Sequence, residues 1–155
     1  MYKRQNLKSY KVLGHQHTPE IEQTLRVAGA GAGMHLDFVP VSAPLARGIL
    51  ANSFVEVPEA WTPERVLGLF QERYGDSAFV RVLEGRVAEV VAIKGSMWVD
   101  LSLTVGAPID GRRTCVITTA LDNLVKGGAG QAVQSMNVMF GRPQGEGIDG
   151  PAMWP

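Results

Sequence analysis

Cysteine is nearly absent from the 155-residue chain. Cys115 stands alone, so no internal disulfide can form, and the composition suits a reducing cytosol. Net charge is absent too. Fifteen Lys and Arg balance fifteen Asp and Glu, which excludes the broad field that gathers nucleic acid or an anionic membrane, so any anionic substrate must be caught locally. No apolar run reaches the roughly 18–20 residues of a membrane span, and the opening "MYKRQNLKSY" lacks the apolar centre of a signal peptide. The expectation is a soluble, cytoplasmic protein with no nucleic-acid or membrane partner. Internal repeats and low-complexity tracts are also missing. The length suits one domain that buries a core without disulfide or metal. Residues 1–9 are set apart because "MYKRQ" resembles adapter-derived strings at the ends of proteins translated from assembled reads, and the expected domain runs over 10–155.

Within that span, Thr18-Pro19-Glu20 reads as N-cap, first-turn proline and early acid, with Ile21 and Leu25 on one face, and predicts a helix from Pro19 to Ala28. "GAGAGMH" ends it. "LDFVPVSAPL" and "ARGILANSFVEV" are rich in β-branched and apolar residues and predict strands near 35–42 and 47–57. Thr62-Pro63-Glu64 repeats the helix-start signal, and Val66, Leu67, Phe70 and Tyr74 follow at helical spacing over 63–74. "FVRVL", "VAEVVAIKGS", "MWVDLSLTVGA" and "TCVITTAL" predict four further short strands, with Asp110-Gly111 as a hairpin turn. A last helix over 128–140 would line one face with Ala129, Val133, Met136 and Phe140, before a loop-like tail. Strands that mostly follow one another predict an α+β fold: a mixed, largely antiparallel sheet with helices packed on it.

Chemistry concentrates in "GHQHTPEIEQTL", residues 14–25. His15, His17 and Glu20 form H-x-H-x-x-E, a conceivable zinc shell that lacks a fourth ligand. The rings could equally cap the helix start. A histidine beside a helix N-terminus is also suited to acid-base work, and the local pattern leaves all three readings open. "AGAGAG" at 28–33 precedes a strand instead of following one, and "KGGAGQAV" has Val133 where a third glycine belongs, so neither is a dinucleotide fingerprint. Gly127, Gly128 and Gly130 either admit a ligand near a helix start or serve tight packing. Cys115 sits in an alternating strand with nothing nearby to lower its pKa and is rejected as a nucleophile. Arg47 is either a solvated strand-end charge or a fork for a carboxylate or phosphate. Trp61, Trp98 and Trp154 read as core or interface residues.

Taken in order, "GHQHTPEIEQTL", "LARGILAN", "ALDNLVKGGAGQAVQSMNVMFGRP" and the final "MWP" resemble the catalytic domain of the N-acetyl-gamma-glutamyl-phosphate reductases, from about Tyr10 onward. Those enzymes are similar to the aspartate-semialdehyde and glyceraldehyde-phosphate dehydrogenases, in which an NADP-binding Rossmann domain precedes an α+β catalytic and oligomerisation domain. The resemblance implies an oxidoreductase of arginine biosynthesis that turns an acyl phosphate into an aldehyde with NADPH, through a cysteine thiolate and a histidine acid-base partner. It makes His15 that histidine. His17 and Glu20 shape the substrate pocket, Arg47 holds an anionic end of the substrate, and Asn123 faces the nicotinamide amide. No metal is implied. The family's Gly-Cys-Tyr-Pro nucleophile motif and its Rossmann fingerprint are not among these residues. The expectation is therefore a fragment, inert alone, partnered by the Rossmann domain of the same polypeptide and by further copies of itself. Met97 replaces a common asparagine. The reductase of carrier-bound 2-aminoadipyl-6-phosphate in lysine biosynthesis shares most of these motifs and is the alternative within the class, and a pure assembly module is the alternative outside it.

Overall fold

The computed structural model describes residues 6–153. Trp154 and the "MYKRQ" start lie outside the described residues. The chain divides into two compact units, one ending at Ala46 and one running from Arg47.

In the first unit, β1 (Lys8–Ser9) pairs antiparallel with β2 (Val41–Ser42). Helix α1 spans Thr18–Val27. Thr18 is its first residue and not its cap: His17 already has helical angles, and the Thr18 hydroxyl is buried without a partner among the described residues. The exit follows expectation. Gly29 takes a φ of 101°, and Ala30 and Gly29 donate N–H to the carbonyls of Leu25 and Arg26, closing the helix with a Schellman pair. The strand expected over 35–42 shrinks to β2. Pro40 has no N–H to give a ladder, and the Phe38 and Pro40 carbonyls instead take the N–H groups of Leu13 and Tyr10.

The second unit is built on a four-stranded sheet in the order β3-β6-β5-β4, made of β3 (Ile49–Pro58), β4 (Val80–Leu83), β5 (Val99–Val105) and β6 (Arg112–Leu121). β3 and β5 run antiparallel to β6 while β4 runs parallel to β5, the mixed sheet that the strand pattern predicted. Asp110 and Gly111 both take positive φ, 49° and 78°, and turn the chain into β6 as a primed hairpin. Helix α2 (Pro63–Tyr74) starts at Thr62, whose hydroxyl accepts the Arg65 N–H at 3.3 Å. It lays Val66 and Phe70 on Val57, Leu103, Cys115 and Ile117, residues that alternate onto one sheet face.

"VAEVVAIKGS" is not the expected strand. Parallel pairing of β4 with β5 demands a crossover of about a dozen residues. The segment therefore passes over the sheet, with a short 3₁₀ turn at Val90–Ala92, and its Ala88 and Ile93 cover Leu83 and Ala120 on the opposite face. A π turn (Val125–Ala129) leads into α3 (Gly130–Met139). The expected apolar face of α3 is not covered: Met136 is 47 % and Phe140 75 % exposed, and the buried residues of the helix are Gly130 and Asn137. Asn137 instead donates to the carbonyls of Gln144 and Glu146 and holds the tail, which forms turns as expected. Trp98 packs against Phe79 and under the Arg81 guanidinium. No helix of the described residues is long and apolar enough to cross a membrane.

Candidate functional site

Three of the five candidate side chains belong to the first unit. His15 is buried, with 8 % of its surface exposed, in a turn shaped by two left-handed non-glycine residues, Lys11 (φ 45°) and Leu13 (φ 54°). Such angles disfavour L-residues. The turn brings the ring edge-on to Tyr10, Phe38 and His17, at centroid distances of 5.7, 5.4 and 4.6 Å. Its Nδ1 accepts the peptide N–H of His17 at 3.2 Å, and its carbonyl accepts that of Thr18 at 3.0 Å. Both are helix-start donors without helical partners. Burial pushes the His15 pKa below 6.5, the neighbouring His17 and Lys11 push it the same way, and Glu20 opposes them. His17 and Glu20 are exposed and, with Ile21, Thr24 and Leu25, line an open groove of about 400 Å³ along α1. Among the described residues no group of three or more His, Cys, Asp or Glu could hold a metal ion.

Arg47 and Asn123 belong to the second unit, and sequence reading missed the residue between them. Asp122 is fully buried. Its Oδ1 accepts Nη2 of Arg47 at 2.8 Å and the N–H groups of Leu124 and Val125 at 2.9 and 2.8 Å, while Oδ2 accepts the Gly95 N–H at 2.7 Å. Burial pushes this carboxyl up, but the Arg47 guanidinium and the three peptide donors outweigh it and hold the pKa at about 2. Asn123 completes the clamp, since its Oδ1 accepts the Gly48 N–H at 2.6 Å. Arg47-Gly48 and Asp122-Asn123 thus grip each other where β3 begins and β6 ends. Gly48 is required there twice over. Its φ is 99°, and an added Cβ would run into the Val90 side chain. Arg47 is therefore paired already, and its Nε is buried without a partner among the described residues.

The remaining candidates resolve into packing. Cys115 is buried and its thiol is pushed up by burial, the reverse of an activated nucleophile. Met97 is buried with its sulfur against the Cα of Gly130, where no Cβ fits. Gly130 thus serves tight packing. A sequence signal for Asp122 did exist: an Asp-Asn pair closing a strand just before a glycine-rich helix start is a composition that caps orphan N–H groups.

A family model described as "Semialdehyde dehydrogenase, dimerisation domain" matches residues 2–123. The chain belongs to this family. Curated relatives of this semialdehyde dehydrogenase dimerisation domain include proteins named N-acetyl-gamma-glutamyl-phosphate reductase. The one from Geobacter sulfurreducens is 40 % identical over 97 % of this chain and 43 % of its own length. That from Thermus thermophilus is 39 % identical over 97 % of the chain and 46 % of its own length, and that from Methanocaldococcus jannaschii is 35 % identical over 93 % and 40 %. The chain spans less than half the length of these relatives.

Proposed function

We propose that the chain forms the catalytic and dimerisation half of an NADPH-dependent reductase that converts N-acetyl-L-glutamyl 5-phosphate to N-acetyl-L-glutamate 5-semialdehyde and phosphate, and that it is inert without its nucleotide-binding partner domain. The observation that carries this reading is His15, buried at a helix start, inside a sequence similar over 93–97 % of its length to proteins named for that reaction. In this reading His15 faces the reacting carbonyl, with its ring orientation held by Tyr10, Phe38 and the His17 N–H. His17 and Glu20 line the substrate groove. Arg47 gives its remaining N–H donors to an anionic end of the substrate while Asp122 holds the guanidinium.

Asn123 fits a nicotinamide cofactor. Gly48 occupies its Oδ1, and its Nδ2 donors have no partner among the described residues, which suits a carboxamide oxygen. NADPH, when bound, supplies the hydride. The nucleophilic thiolate comes from outside these residues, since Cys115 is sealed in the core. Exposed apolar residues on β3 and α3, with Phe54 at 71 % and Met139 at 82 %, support contact between copies of the domain in a homo-oligomer.

The test is a full-length enzyme carrying this chain, assayed for NADPH oxidation with N-acetylglutamyl phosphate and, separately, with the aminoadipyl phosphate. Turnover with the first and loss of roughly 10²–10⁴-fold in His15→Ala are expected. Preference for the second substrate would move the protein to lysine biosynthesis. A folded, oligomeric enzyme that turns over neither would leave an assembly module.

A further inference from the structure

We propose that Met153, in the tail of the second unit, is a positioning residue for Arg47 and acts by latching the peptide group between Lys94 and Gly95. Its effect on substrate rests on the reductase reading above, whereas the latch does not. The chain of contacts is short. The Met153 N–H donates to the Lys94 carbonyl at 2.8 Å, and the Met153 side chain lies over Gly95 in the space that a Cβ on this glycine would enter. The Gly95 N–H in turn donates to Oδ2 of Asp122 at 2.7 Å. Oδ1 of the same carboxylate accepts Nη2 of Arg47 at 2.8 Å.

The latch works because the two bonds hold opposite ends of one peptide group. Ile93 to Ser96 make a turn closed by the Ser96 N–H on the Ile93 carbonyl at 3.1 Å, with Gly95 in third place at a φ of 75°, the signature of a type II turn. Type I differs from type II mainly by a flip of the central peptide, here the one that carries the Lys94 carbonyl and the Gly95 N–H. Glycine opposes neither state, since it lacks a Cβ. A flip would aim the carbonyl oxygen at a buried carboxylate and take the N–H away from it. Met153 blocks that flip from the other side.

The consequence reaches Arg47 through the plane of the carboxylate. Asp122 is fully buried. Its Oδ1 holds the N–H groups of Leu124 and Val125 beside the guanidinium, whereas Oδ2 has the Gly95 N–H as its partner among the described residues. With both oxygens engaged the carboxylate cannot turn about its own axis, and the guanidinium fork bonded to it keeps one direction. Without Gly95, a buried charged oxygen is left bare and the group turns to find a donor, carrying Arg47 with it. Met153 touches no reacting group in this scheme. Its loss should weaken capture of the anionic substrate and leave the chemical step alone.

Three variants test the latch. Met153→Pro removes the N–H on Lys94, Met153→Ala removes the side chain over Gly95, and Met153→Leu restores the apolar bulk. Met153 is 55 % exposed, so none of them opens the core. Amide exchange of the chain, read by ¹H–¹⁵N spectra, should show Gly95 exchanging roughly tenfold faster in Pro and Ala than in the parent, with Leu close to the parent and the amides of β5 and β6 unmoved. In the full-length enzyme the KM for N-acetylglutamyl phosphate should rise roughly tenfold in Pro and Ala, with kcat held within about twofold and the KM for NADPH unchanged. Parent-like Gly95 exchange in both Pro and Ala would overturn the latch. Faster exchange across the whole sheet, or a fall in kcat with an unchanged KM, would make Met153 a structural residue only and overturn the positioning role. An enzyme inactive on either phosphate would sink the functional reading, and Gly95 exchange would still decide the latch.

Discussion

His15 and Asp122 are both polar side chains shut away from solvent, with 8 % and 0 % of their surface exposed, and they are held in opposite ways. His15 is framed by Tyr10, His17 and Phe38, close neighbours in the chain, in a unit whose helix α1 buries no residue. Asp122 is held by Arg47 and Gly95, 75 and 27 residues away, against a packed sheet. The first arrangement fixes a ring with contacts drawn from one stretch of some thirty residues. The second ties three chain segments into one rigid joint.

The comparison is most exposed to failure at Asp122. Asp122→Ala leaves four donors unpaired, including a part-buried guanidinium, and should cost about 3–5 kcal/mol. His15→Ala should cost only about 1 kcal/mol. Urea unfolding measures both, and equal losses would break the contrast. Next is Gly48→Ala, which combines a left-handed φ with a clash against Val90 and should lose about 2–4 kcal/mol. A loss under about 0.5 kcal/mol, the range of neutral surface changes, would mean that the β3 entrance yields easily.

Acid should sharpen the same point. The Asp122 pKa is lowered from 3.8 to about 2 in the fold, so its contribution is complete above the ordinary value and drains away as the pH falls from 3.8 toward 2. The amount is about 2 kcal/mol. Urea melts of the parent across that range should show the decline, and Asp122→Asn should lack this share of it. The smallest effect belongs to the first unit. Leu13 is 62 % exposed at φ 54°, and Leu13→Gly should relieve the turn, slowing amide exchange around it by an amount equivalent to about 0.5–1 kcal/mol. Faster exchange would show that the side chain itself braces the turn.

Legibility follows the same division. Helix α2 matches its predicted 63–74 span to the residue, because Thr62-Pro63-Glu64 and the apolar spacing are local signals. The Asp110-Gly111 turn was legible for the same reason: only its backbone preference matters. The strand expected at "VAEVVAIKGS" was misread because valine and isoleucine serve a crossover that covers a sheet as well as they serve a strand, and burial alone cannot separate the two. The face expected on α3 has the right period but is uncovered among the described residues, since the pattern records what a helix offers and not what meets it.

The sequence by itself determined the α+β class, the span of α2, the turn chemistry and the His-x-His spacing that sets a ring within reach of the His17 N–H. Those are interactions across a few residues, where the chain has few ways to differ. Only the tertiary structure decided that Asp122 holds Arg47, that Asn123 has its amide oxygen engaged by Gly48, and that Gly48 cannot carry a Cβ. Each depends on segments brought together by the pairing of β3 with β6, and no local pattern encodes a partner 75 residues away.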